Sequence, residues 1–365
     1  MVNLFKSSIK LGKVFGIPIA IHWTFFILII WIVGMNLYKG QPLDIALWSG
    51  LFIISIFACV FLHELGHALA AKRFGIITKS IVLLPIGGVA SLEKIPEEPK
   101  KEIFVALAGP FVNMVISTFL FTYLFYRGEL IPEKFLSATI NYDNFLIYLM
   151  VANIFLGLFN LTPAFSMDGG RVLRALFAFK MDRVSATELA SKVTSLFAVI
   201  FVLIGIFNNP MLVFIALFIY LGAKGEYEAV KSQSALSGYH TADVLMKNFT
   251  VLNANAPVST AVKALLDSQD TRFLVEEENK IKYVLTKTDI IKALSQQGQE
   301  INIRQYASPI TFTATLDLPV EKLMETMVKH QFSIVPVEEN GKIVGIVDLE
   351  NIKEFIAFQN LIKNK

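Results

Sequence analysis

Between Ile19 and Ala223 long apolar runs alternate with short polar, often basic, breaks, whereas from Lys224 onward apolar residues are scattered among charged ones. A helix needs roughly 20 mainly apolar residues to cross the hydrocarbon core of a bilayer. Six runs reach or approach that length: Ile19–Leu37, Trp48–Ala71, Ile103–Tyr126, Phe145–Leu161, Val193–Phe207 and Met211–Ala223. The pattern predicts an α-helical polytopic membrane domain with about six transmembrane helices. Asn208-Asn209-Pro210 predicts a tight turn between the last two, which are short. The first run is long and internal, so it is expected to span the membrane and not to be a removed signal peptide.

The change at Lys224 marks a boundary: residues 1–224 form the membrane domain, the polar stretch 225–239 a linker, and residues 240–365 a second domain. That domain repeats itself at an offset of 62, since Pro257-Val258 returns as Pro319-Val320, Val275-Glu276-Glu277 as Val337-Glu338-Glu339, and Lys280-Ile281 as Lys342-Ile343. The units, about 240–298 and 302–360, each predict helix, strand, strand, helix: Ser259–Ser268, Phe273–Glu276, Lys282–Leu285 and Asp289–Ser295 in the first, Val320–His330, Ser333–Val337, Ile343–Val347 and Leu349–Phe358 in the second. The expectation is a compact α/β pseudo-dimer.

Composition narrows the class. With 365 residues, 54% hydrophobic and only 17% charged, and a mean hydropathy of +0.57, the chain is too apolar for an ordinary pair of soluble domains. A net charge of +3 gives no reason to expect a nucleic-acid partner. The single cysteine, Cys59, excludes an intrachain disulfide framework. With the N-terminus in the cytoplasm, fourteen basic residues from Lys6 to Lys192 fall inside and Lys39, Arg127 and Lys134 outside, an asymmetry that predicts this orientation in the cell membrane. An even number of crossings then returns the C-terminal domain to the cytoplasm.

The second apolar run carries chemistry that a bilayer helix does not need. His63, Glu64 and His67 read HELGH, and residues four apart share a helical face, so two imidazoles can grip one metal ion while Glu64 leans toward its open position. Catalytic zinc usually takes a third protein ligand. Asp168 is the candidate: Pro163 breaks the preceding helix and Gly169-Gly170 permits unusual backbone torsions, so the loop can turn this carboxylate back toward a neighbour. The alternative is that Asp168 caps a helix beginning near Arg171. Cys59, four residues before His63, is conceivable as a further ligand, or packs as a small hydrophobe. Leu83–Ala90, with Pro85 and Gly87-Gly88, reads as an edge on which an unwound substrate could pair, or as an interfacial loop. Asn160 and Asn113 are polar positions in apolar helices that tend to face the bundle interior. Asn113, three residues after Pro110, is read as satisfying a kinked helix and is given no catalytic role.

The runs HELGH (63–67), LLPIGGVA (83–90), ALAGPFVN (106–113) and NLTPAFSMDGGR (160–171) resemble the site-2 proteases, intramembrane zinc metalloproteases, in the branch with a C-terminal pair of CBS domains. Thr162 and Ser166 depart from it, standing where relatives often have Leu and Pro. The resemblance implies one zinc ion per chain on His63, His67 and Asp168, Glu64 as general base, and Asn160 close to the metal; Gly87 and Gly88 belong to the candidate substrate edge read above. It implies a single-pass membrane protein as substrate, in regulated intramembrane proteolysis. For the C-terminal module it implies an adenine nucleotide such as ATP, its ribose on Thr286 and Asp289, and a homodimer formed through the CBS domains. The second repeat has Asp348 and Asn351 at the aligned positions, which predicts at most one good nucleotide site. The competing expectation is a transporter or channel gated by CBS domains, against which the metal spacing of the HELGH helix counts.

Overall fold

Phe15 and Gly16, with φ of 51° and 86°, make the two-residue turn that joins β1 (Ser8–Val14) to β2 (Ile17–His22) as an antiparallel hairpin. The computed structural model describes residues 8–85, 87–92, 96–131, 139–165, 167–268, 271–296 and 298–363. Ile86 and Ser166, in two of the motifs above, lie outside the described residues, as do Lys6, Lys94 and Lys134. After β2 come α1 (Thr24–Tyr38), α2 (Leu43–Arg73), β3 (Thr78–Leu84) and β4 (Gly87–Leu92). The four strands form one sheet in the order β1-β2-β3-β4, with β2 and β3 parallel and the other neighbours antiparallel. It buries Ile17 and Ile81 against Leu65 and Ala68, on the turns of α2 that carry HELGH.

The sheet corrects the reading of Ile19–Leu37 as one helix, because the strand β2 runs to His22 and α1 starts at Thr24. A continuous apolar run has no periodicity to separate a buried strand from a helix. Alternating β-branched Ile17, Ile19 and Ile21 were the missed signal. Leu83–Ala90 spans the end of β3 and the start of β4, and β4 stands at the edge of the sheet.

Three described helices are long and apolar enough to cross a membrane: α2, α3 (Pro99–Arg127) and, further on, α6 (Arg183–Asn208). Proline in the first turn starts α3 and left-handed Gly128 ends it. Two shorter apolar helices, α1 and α4 (Phe145–Asn160), have 15 and 16 residues. Leu120 and Leu124 of α3 meet Ile147 and Met150 of α4 in a buried cluster. Between α4 and α6 lies α5 (Asp168–Phe177), and α7 (Met211–Leu236) follows α6, apolar only over its first half. Asp182 caps α6, accepting from the amides of Val184 and Ser185, and its bonds with Ser185 hold its carboxyl below the usual carboxylate range.

The chain divides into two compact units, Met1–Val230 and Lys231–Lys365. In the second, β5 (Val251–Asn253), α8 (Val258–Ser268), β6 (Arg272–Glu277), β7 (Lys280–Thr286) and α9 (Lys287–Gln296) form one repeat. The other comprises β8 (Ser308–Pro309), α10 (Val320–His330), β9 (Ile334–Glu339), β10 (Lys342–Asp348) and α11 (Leu349–Lys363). Each repeat lends its first segment to the other: Ser308 pairs with Val284 of β7, and Met246 bridges to Ile346 of β10. These pairs are related by the same 62-residue offset seen in the sequence. Leu274, Ile334 and Ile346 are buried together where the repeats meet.

Arg174 of α5 is fully buried in the first unit, donating to Glu102 of α3 and to Glu226 of α7 and stacking over Phe165. Removing one partner of a buried charge cluster leaves the others uncompensated, at a cost of about 3–5 kcal/mol. Arg174→Ala is therefore expected to lower the unfolding midpoint in detergent sharply, and an unmoved midpoint would contradict this role.

Candidate metal centre

His63 and His67 lie one turn apart on α2, and Asp168 reaches them from the first turn of α5. Pro163 cannot continue α4, and the chain folds back over residues 161–165 into α5. Here the structure changes the reason given for Gly169-Gly170. Neither has a positive φ; they are glycines because a Cβ would strike the carbonyls of Leu161, Thr162 and Ala164. The tight packing against that turn aims Asp168 at α2.

His63 Nε2, His67 Nε2 and Asp168 Oδ2 are each 3.1 Å from the other two. The other ring nitrogens fix the tautomers. His63 Nδ1 lies 2.5 Å from Asn113 Oδ1 and His67 Nδ1 2.7 Å from the carbonyl of Val105, acceptors that each call for an N–H on the imidazole. Both Nε2 atoms then turn lone pairs toward each other and toward a carboxylate oxygen. Three converging acceptors repel unless a cation sits among them. A tetrahedral ion with bonds of about 2.0–2.1 Å needs ligand separations of about 3.3 Å, close to those found, and two imidazoles with one carboxylate suit zinc. Gly109 of α3 backs the site, where a Cβ would stand 2.6 Å from His63 Nε2 and closer still to His67 Nε2.

Asn113 is fully buried and is more than a kink residue. Its Oδ1 receives the His63 N–H while its Nδ2 donates to Asn153 Oδ1 at 2.9 Å. Asn153, in turn, donates to the Leu149 carbonyl and to Cys59 Sγ at 3.3 Å. Cys59 therefore stands behind this chain of amides, outside the group of His63, His67 and Asp168 that can hold a metal. Asn153 had no flanking motif, and its polar position in α4 was the only signal that could have found it.

Glu64 lines the same cavity of about 710 Å³ as His63, His67, Asp168 and Asn160. Its Oε2 accepts the amide of Ala90 in β4 at 3.2 Å, and a Cβ on Gly88 would approach its Cγ to 2.5 Å. Gly87 and Gly88 also line the cavity, as do Phe214 and Phe218 of α7. Asn160 Nδ2 donates to the Leu156 carbonyl one turn back.

Peptidase family M50 matches residues 51–204, which contain all three metal-facing residues, and the CBS domain matches residues 242–296 and 303–357. The chain is 32% identical over 346 residues to zinc metalloprotease MJ0392 of Methanocaldococcus jannaschii, covering 94% of this chain and 79% of that protein. It belongs to peptidase family M50, the site-2 proteases. This zinc metalloprotease is also 27% identical, over 95% of both chains, to the putative zinc metalloprotease sll0528 of Synechocystis. The solved site-2 protease from Methanocaldococcus jannaschii aligns with 36% identity and a TM-score of 0.44, covering 60% of this chain and 95% of that one. The expectation of a CBS-gated transporter or channel falls with this membership.

In the CBS pair, Thr286 donates through its amide and its hydroxyl to Asp289 Oδ2, at 2.9 and 2.6 Å. The aligned Asp348 is engaged instead by Arg272 of the other repeat, while Asn351 donates to the Val244 carbonyl. His240 and His330 lie in this unit, and His22 sits beside Thr24 Oγ1 at the end of β2.

Because outer hydrogen bonds orient metal ligands, Asn113→Ala is expected to weaken zinc binding by about 10–100-fold. Chelator competition on the purified protein reads this directly, and Cys59→Ala should leave the affinity unchanged. Equal affinity in Asn113→Ala and wild type would show that His63 needs no such support.

Proposed function

We propose that this protease hydrolyses a peptide bond in or near a transmembrane segment of a single-pass, membrane-anchored protein, with zinc held by His63, His67 and Asp168. The observation that carries this is that His63, Glu64 and His67 sit on α2, a helix long and apolar enough to lie in a bilayer, with Asp168 of α5 converging on the two imidazoles. When bound, zinc supplies Lewis acidity, bringing water's ionisation near neutral pH and polarising the scissile carbonyl. Glu64 takes the proton from the attacking water. Its Oε2 is held by the Ala90 amide, which leaves Oε1 free for that proton. Asn160 donates to the developing oxyanion or to the substrate backbone.

A helical substrate must unwind before it can be cut, since its carbonyls are already hydrogen-bonded, and its freed backbone groups then need partners. The outer edge of β4 supplies them. The Ala90 amide points away from β3, and strand alternation puts the N–H and C=O of Gly88 on that same side. A substrate strand paired there runs beside Glu64, and Gly87-Gly88 lets it come close.

We place six crossings in the membrane with the N-terminus and the CBS pair in the cytoplasm, on the distribution of basic residues. In the CBS pair, Thr286 and Asp289 hold the ribose of an adenine nucleotide, and the Arg272–Asp348 pair closes the equivalent position in the second repeat, giving one site. Phe358, Leu361 and Ile362 form an exposed apolar stripe on α11, which supports pairing with a second copy.

Glu64→Gln is expected to keep its zinc and lose cleavage of a co-expressed single-pass substrate; cleavage at the wild-type rate would refute the base assignment. Asp168→Asn is expected to lower zinc occupancy, and full occupancy with full turnover would move the third ligand elsewhere. By calorimetry, ATP should bind Asp289→Ala more weakly than wild type. Identical affinity would exclude the ribose contact.

A further inference from the structure

Among the described residues that line the catalytic cavity, Arg171 is the only lysine or arginine. It sits on α5 three residues after Asp168, and so on the same helical face as that ligand. No hydrogen bond or ion pair joins its guanidinium to another described residue. Arg174, one turn further on, is instead consumed by Glu102 and Glu226. Much of the cavity wall is apolar, from Phe159, Phe165 and Met167 to Phe214 and Phe218 of α7.

The charges do not balance without the substrate. With a divalent ion bound, Asp168 and Glu64 would match its charge, and Arg171 would add one positive charge that no described residue pairs with. Half-buried beside apolar side chains, such a charge is better met by a carboxylate, which the planar guanidinium fits in two parallel hydrogen bonds. We propose that Arg171 is a specificity residue that receives an Asp or Glu side chain of the substrate, one to three residues from the scissile bond. That distance follows from one helical turn between Arg171 and Asp168, about 5 Å, against about 3.3 Å per residue of extended substrate. This rests on the protease reading above and adds a substrate class to it: membrane proteins with an acidic residue at the edge of the cleaved segment.

The test uses the full chain in nanodiscs with a single-pass reporter whose apolar segment carries one Asp, placed in turn at each position around the mapped cut, and matched Asn and Lys forms. At its best position the Asp form should be cut with kcat/KM on the order of 10–100-fold above the Asn form, the Lys form lowest. Arg171→Gln should cut the Asp and Asn forms alike, Arg171→Lys should recover part of the preference, and Arg171→Glu should favour Lys. Zinc content should stay at wild-type level in all three variants. Indifference of the wild type to charge at every position overturns the assignment, as does a preference that survives in Arg171→Gln. Zinc loss in Arg171→Gln overturns it too, making Arg171 a support for Asp168. If no reporter is cut above the Glu64→Gln background, the protease reading itself falls and the assignment with it.

Discussion

Three lone pairs pointed at one spot are unstable by themselves, and the membrane unit is organised to point them there. Asn113 and the Val105 carbonyl hold the outer nitrogens of His63 and His67, so neither ring can turn its acceptor away, and the close seating of Gly169-Gly170 holds Asp168 against them. A cation resolves the repulsion. Gly109 leaves the room that the two rings and the ion require. Helices α2, α3, α4 and α5 each contribute to this one arrangement, so the bundle's packing and its metal chemistry cannot be separated.

The small sheet gives that centre its working direction. By docking on the Leu65 and Ala68 face of α2, it brings the edge strand β4 alongside Glu64, and the Ala90 amide ties the two together. Glu64, the three metal-facing residues and the edge strand thus meet in one cavity. On the far side of the ligand loop, the buried Arg174 cluster fixes α5 to α3 and α7, so the helix carrying Asp168 is anchored at both ends.

Much of this was legible in the chain. Spacing alone brought His63 and His67 together, and the interrupted stretch from Pro163 to Gly170 pointed to Asp168; the 62-residue repeat pointed to two like α/β units, though not to the exchange of first segments by which Met246 bridges to Ile346 and Ser308 pairs with Val284. What escaped has physical causes. β2 is hidden in a run whose apolar residues continue into α1, so periodicity is lost at the boundary. Asn113 has an alternative local explanation in Pro110, and Asn153 acts only through Asn113, 40 residues away in sequence. Such supports are visible only when helices are assembled. The glycine pair was correctly singled out for the wrong reason: close packing, not torsion, excludes a side chain there.

Zinc K-edge X-ray absorption on the purified full chain tests the central claim most directly. The account predicts one zinc per chain with two imidazole nitrogens and a carboxylate oxygen in its shell and no sulfur. A protein purified without zinc, or a shell containing the Cys59 sulfur, would contradict it.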